Sequence, residues 1–92
     1  MIVRIATEGQ YRLPDEDAGR LNELDNGVVQ AVEAGDEARF RDLLSQMHEL
    51  VRADGRRLDG EEIESSDVIL PPPDTSLEEA AEEFTGDGLI PD

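Results

Sequence analysis

Residues 21–51, LNELDNGVVQAVEAGDEARFRDLLSQMHELV, decide the fold. In the second half Phe40, Leu43, Leu44, Met47, Leu50 and Val51 recur at helical spacing. At roughly 100° per residue they fall within an arc of about 120°, the width of a helix face pressed on a core. Asp42, Ser45, Gln46, Glu49 and Arg52 occupy the opposite face. In the first half Leu21, Leu24, Val28, Ala31 and Val32 make a similar stripe. Gly35 can take the left-handed conformation that ends a helix, and Asp36 can cap the next through its carboxylate. So short a connection makes the two helices antiparallel neighbours.

Two positions in the first helix resist this pattern. Asn26-Gly27 is a turn signal, yet the apolar period runs through it to Val32. One helix with a weak point is expected, since an internal Gly costs only about 1 kcal/mol. Asp25 sits inside the apolar arc. Buried carboxylates are rare unless paired, so an edge position with access to water is the simpler expectation. The alternative is an ion pair with Arg4 or Arg12, in which case Asp25→Asn destabilises clearly.

Working outward, Ile2, Val3 and Ile5 are β-branched and belong to a strand over Met1–Thr7. Glu8-Gly9 offers a tight turn, and residues 10–13 return as a second strand. An isolated hairpin is marginal in water, so the helices are expected to cover it. Asp15, Glu16 and Asp17 place negative charge at the start of helix one, where the dipole favours it. Gly55 stops helix two, and residues 56–66 read as a polar connector. Val68-Ile69-Leu70 is a third short strand halted by Pro71-Pro72-Pro73, which favour a stiff polyproline II spacer. Thr75-Ser76-Leu77-Glu78 has the form of a capping box. Leu77, Ala80, Ala81 and Phe84 then line one face of a short helix ended by Gly86. That helix and the apolar tail Leu89-Ile90-Pro91 are expected to dock on the domain.

The expected fold is α+β. A small antiparallel sheet, made of the N-terminal hairpin and the short third strand, packs on an antiparallel helix pair, with a short C-terminal helix. The 92 residues read as a single domain. Its parts are a hairpin over 1–13, a helix pair over 15–54, a connector with strand and proline spacer over 55–73, and a short helix and tail over 75–92.

Asp and Glu number 24 against 8 Arg and no Lys, for a formal net charge of −16. Such a chain could mimic nucleic acid, hold cations or stay disordered. The apolar stripes argue against disorder, and the acids are spread rather than massed in a tail. An even acidic spread without lysine suits a salt-rich cytosol, as in halophilic archaea, where a Debye length of about 3 Å at 1 M salt hides the self-repulsion. A high-GC bacterium is the alternative source. No apolar run approaches the ~20 residues of a membrane span, and no signal peptide is evident, so a cytoplasmic protein is expected.

Catalytic and metal chemistry find little support. His48 is the only histidine and cysteine is absent, so an imidazole–thiolate metal site cannot be assembled. It reads as a partly exposed structural residue. Ser65-Ser66 lacks the flanking glycines of a nucleophile elbow. The pairs Glu61/Glu62 and Glu78/Glu79 carry no special signal in so acidic a chain. Asp54–Glu64 superficially resembles a calcium loop, but Arg56 and Leu58 stand where oxygen ligands are needed. Gly9, Gly19, Gly27, Gly35, Gly55 and Gly60 are scattered rather than gathered in a phosphate loop. The net charge would repel nucleic acid and anionic lipid. A non-enzymatic protein without cofactor or metal is expected.

Several stretches taken in order resemble one family. They are residues 1–5 with Glu8-Gly9-Gln10-Tyr11-Arg12-Leu13; Leu21-Asn22-Glu23-Leu24-Asp25-Asn26; Ala34-Gly35-Asp36-Glu37 leading to Phe40; Ser66-Asp67-Val68-Ile69-Leu70-Pro71; Ser76-Leu77-Glu78-Glu79; and Gly86-Asp87-Gly88-Leu89-Ile90-Pro91. Together they resemble the PspA-associated proteins, PspAA, nearly end to end. The resemblance implies a non-enzymatic companion of phage shock protein A, the coiled-coil membrane-remodelling protein of envelope stress. It would act as an adaptor or regulator, recruited to the inner membrane face only through that partner, and it carries no catalytic residues to transfer.

For the contact surface, Val29, Leu89 and Ile90 are the expected apolar docking residues, with one hairpin face. The short terminal helix could alternatively lie in a groove of a coiled coil. A different class of reading is an acidic decoy that occupies a basic nucleic-acid site on another protein, whose binding would weaken steeply with salt. A small hydrolase built on an unrecognised carboxylate pair, and a homodimer joined at a sheet edge, are further alternatives.

Overall fold

The computed structural model describes residues 1–6, 8–59 and 65–83. Its two long helices follow from local chemistry. Helix α1 spans Ala18–Ala34 and α2 spans Glu37–Asp54. Gly35 closes α1 at φ 69°, and its amide donates to the carbonyls of Ala31 and Val32. A side chain is strained at that φ, and glycine is not. Asp36 caps α2 by accepting from the Arg39 amide at 3.1 Å. The acidic residues Asp15–Asp17 form a 3-10 turn that leads into α1 rather than its first turn.

Asn26-Gly27 does not interrupt α1. A Cβ on Gly27 would stand 3.0 Å from Leu43 Cδ1, so the glycine marks close approach of α2. Packing between the helices overrides the turn preference of the dipeptide.

Among the described residues four strands form one sheet in the order β3-β2-β1-β4. They are β1 (Ile2–Ile5), β2 (Gly9–Arg12), β3 (Arg56–Arg57) and β4 (Val68–Leu70). The β1–β2 hairpin is antiparallel, with Val3 opposite Tyr11 and Arg4 opposite Gln10. Gly9 supplies the φ of 127° that turns the chain. The α+β class expected above holds, with two corrections to the sheet. First, β4 pairs parallel to β1, Val3 with Val68 and Ile5 with Leu70, so the sheet is mixed rather than antiparallel throughout. The chain reaches β4 by crossing from one sheet edge to the other, which allows it to run in the direction of β1. Second, the connector contributes β3. Gly55 leaves α2 at φ −85° and ψ 149°, already extended, and feeds Arg56-Arg57 directly against β2.

Val3, Ile5, Tyr11, Val68 and Leu70 share a core with Leu21, Val28, Phe40, Leu44, Met47 and Val51. On the opposite sheet face Arg4, Arg12 and Ile69 are exposed, whereas Ile2 and Gln10 are covered. The three prolines do not act as a stiff spacer. The Pro72 carbonyl accepts from the Thr75 amide at 3.1 Å and from its hydroxyl at 2.7 Å, which turns the chain at once. Pro73-Asp74 suits the middle of such a turn, because proline presets φ there. The reversal lays α3 (Leu77–Glu83) against α1, with Ala80 fully buried. The capping box lies one residue later than expected. Ser76 Oγ accepts from the Glu79 amide at 3.1 Å, and Glu79 Oε1 from the Ser76 amide at 3.2 Å. Thr75 is occupied with Pro72 instead. Phe84, Gly86 and the tail lie outside the described residues.

The carboxyl groups of Glu8 and Asp17 are shifted in opposite directions. Arg52 reaches from α2 to Glu8 in the hairpin turn, its Nε donating at 3.1 Å and its Nη2 to the other oxygen. That hydrogen bond, chiefly, holds the Glu8 carboxyl below its ordinary value. Asp17 is raised, first by partial withdrawal from water and next by Asp54 at the far end of α2. A depressed carboxyl binds fewer protons folded than unfolded, so Glu8 contributes stability above its unfolded value that is lost as pH falls through its folded value. A raised carboxyl does the reverse, so Asp17 costs stability as pH rises through its folded value. Asp17→Asn is therefore expected to raise the unfolding temperature at neutral pH and to leave it unchanged in acid, where Asp17 is protonated in both states. Thermal unfolding of both proteins across that range checks the sign.

Candidate partner-binding surface

The buried polar side chains are accounted for internally. His48 is 1% exposed, not partly exposed as its marginal place in the stripe suggests. Its Nδ1 lies 2.8 Å from the Leu44 carbonyl oxygen and its Nε2 2.8 Å from that of Pro71. The ring thus ties α2 to the end of β4, and a residue so placed has no nitrogen left for a ligand. Ser66 Oγ accepts from Gln10 Nε2 at 2.8 Å. Glu79 is committed to the capping box. Among the described residues no three His, Asp or Glu side chains gather to hold a metal ion. None of their buried polar side-chain atoms lacks a hydrogen-bond partner. Residues 56–57 of the loop that resembled a calcium site form β3, while Gly60, Glu61, Glu62 and Glu64 lie outside the described residues.

Asp25 is completely buried, so the solvent-accessible edge position expected for it does not exist. Leu21, Leu24, Val28 and Val29 are buried on either side of it along α1. A carboxyl group is tolerable there because it is engaged in a polar or electrostatic interaction. Val29 also faces inward, 7% exposed within the core. The apolar stripe of α1 is wider than the set that set its phase, so Val29 adds nothing to the accessible surface. Leu89 and Ile90 lie outside the described residues.

The surface that remains notable is the sheet face turned away from the helices. Cross-strand register places Arg4 beside Ile69 on one side and Gln10 on the other, and Arg12 beside Ile2 and Arg56. Three of the eight arginines therefore stand on one face, and none of these six strand positions is acidic. Ile2 and Gln10 are covered, whereas Arg4, Arg12, Arg56 and Ile69 are exposed. Ile69 is 59% exposed, the one large apolar side chain so exposed among the described residues. Sequence reasoning missed this corner. Its signal was the strict alternation of Val68-Ile69-Leu70, which turns the middle residue away from the core whenever the outer two are buried.

A four-stranded mixed sheet backed by a helix pair, with the buried polar side chains of the described residues satisfied, defines a small α+β domain. No helix among the described residues is long and apolar enough to cross a membrane. The family model of the PspA-associated proteins matches residues 1–92, and the chain belongs to that family. No curated protein and no solved structure matches it.

Proposed function

We propose that this protein is a non-enzymatic adaptor that binds PspA, phage shock protein A, and modulates the membrane stress response from the cytoplasm. The observation that carries this reading is the match, over residues 1–92, to a family named for its association with PspA. The internal commitment of His48, Ser66 and Glu79 supports a binding rather than a catalytic role, because none is left poised for proton transfer or attack. Attachment to the membrane would come only through the partner.

The test is co-purification with the PspA of the same genome, in molar salt and again after dilution. Retention in high salt is the expected result, since an apolar contact is not screened. Binding that collapses steeply with salt would favour the acidic decoy instead. Loss in both conditions, from a chain shown to be folded, overturns the adaptor reading.

A further inference from the structure

We infer that His48 is a pH-sensitive latch: its ring, protonated at both nitrogens, joins α2 to the end of β4, and loss of one proton opens that joint. The latch acts on the fold itself, whatever the partner.

The ring sits between two acceptors. Its Nδ1 lies 2.8 Å from the Leu44 carbonyl oxygen, one turn back on α2, and its Nε2 lies 2.8 Å from the Pro71 carbonyl oxygen. A carbonyl oxygen only accepts, and a neutral imidazole has one N–H and one bare lone pair. In either neutral tautomer one nitrogen would face an oxygen, lone pair to lone pair, at hydrogen-bond distance. Only the imidazolium donates to both at once. The ring is buried, so bulk water does not reach it to relieve that contact.

Burial opposes the charge, so what faces the ring decides its state. Glu8, in the turn between β1 and β2, feels the His48 charge, which helps to hold its carboxyl down. Arg52, one turn further along α2, is the opposing cation, and its guanidinium is bound to Glu8. On the β4 side, residues 68–73 are apolar or proline and bring no ionisable group. Helix α1, packed along α2, carries the buried Asp25, itself engaged in an interaction.

Two amides flank the latched carbonyl. That of Ala6 donates to the Leu70 carbonyl at 3.0 Å, and that of Thr75 to the Pro72 carbonyl at 3.1 Å. They report whether this end of β4 holds. The latch contributes fully below about pH 6.5, where an unfolded histidine is also charged, and its contribution is lost as pH rises to where the folded ring gives up its proton.

The experiment follows the full chain by NMR from about pH 6 to about pH 10, on either side of the ordinary imidazole and amine ranges. His48→Gln is the non-titrating comparison, since its amide nitrogen can donate to Pro71 from the ε position. At about pH 7.5, above the ordinary histidine value, the ring nitrogen shifts of the wild type should show a proton on both. As one is lost, exchange protection of the Ala6 and Thr75 amides, corrected for intrinsic rate, should fall about tenfold or more, the worth of a charged hydrogen bond. Amides in the middle of α1 keep their protection, and His48→Gln shows no step at Ala6 or Thr75. A singly protonated ring at about pH 7.5 overturns the latch. Protection that survives loss of the ring proton, or that falls equally in His48→Gln, overturns it too. The ring shifts are read on the wild type, so the test stands even if glutamine does not fit.

Discussion

Phe40→Ala is expected to destabilise the fold by about 3–5 kcal/mol, the usual cost of deleting a fully buried aromatic side chain. Phe40 is completely buried near the start of α2, in the cluster where the helix pair meets the sheet. Truncation removes the transfer free energy of the ring and leaves a cavity. A domain of this size has a total stability of only about 5–15 kcal/mol, so the loss is a large share of the whole. Urea unfolding should show a midpoint shifted far down at an unchanged slope, meaning that stability fell without altering the surface exposed on unfolding. A midpoint within a few tenths molar of the wild type would mean that the ring does not fill the core as described.

Gly55→Ala is expected to cost about 1–3 kcal/mol, the range for forcing extra atoms into a packed site. The reason is crowding rather than backbone conformation, because Gly55 has an extended φ of −85° that any residue adopts. Its amide donates to the Val51 carbonyl at 2.8 Å, which draws that oxygen close. An added Cβ would stand 2.4 Å from the Val51 oxygen and 3.1 Å from Tyr11 Cβ. The oxygen belongs to the backbone of α2 and cannot swing aside like a flexible side chain. Relief requires breaking the last hydrogen bond of α2 or pushing β3 off β2. Gly35→Ala is the informative comparison, since it strains a φ of 69° where a Cβ has open space around it. Both variants are compared by thermal unfolding. Equal stability of Gly55→Ala and wild type would rule out the tight α2–β3 corner.

The helix pair was legible in the sequence because its determinants are local. Stripe, C-cap and N-cap all lie within a few residues of what they control, and Gly35 and Asp36 do what their chemistry suggests. The sheet was legible only where it too is local, in the β1–β2 hairpin. Nothing near Val68 specifies whether it runs with or against Ile2–Ile5, because that depends on where the chain has been in between. Arg56-Arg57 carries no apolar alternation, so β3 rests on backbone pairing that no side-chain pattern announces. Asp25 misled for a related reason. Solvent access is set by what packs over a helix, not by the position of a residue within its arc. The candidate surface was hidden likewise, since Arg4 and Ile69 are 65 residues apart and meet only through the parallel register.

That register also has a consequence for biosynthesis. Strand β1 leaves the ribosome before the other described strands and its parallel neighbour β4 follows all of them, so one side of β1 stays unmatched in the meantime. The α1–α2 hairpin, rich in short-range contacts, can form well before then. A nascent chain stalled ahead of Val68 presents Ile2, Val3 and Ile5 on an open edge, the kind of template on which other chains pair. Premature termination in the connector should therefore yield a product that aggregates rather than a smaller soluble domain.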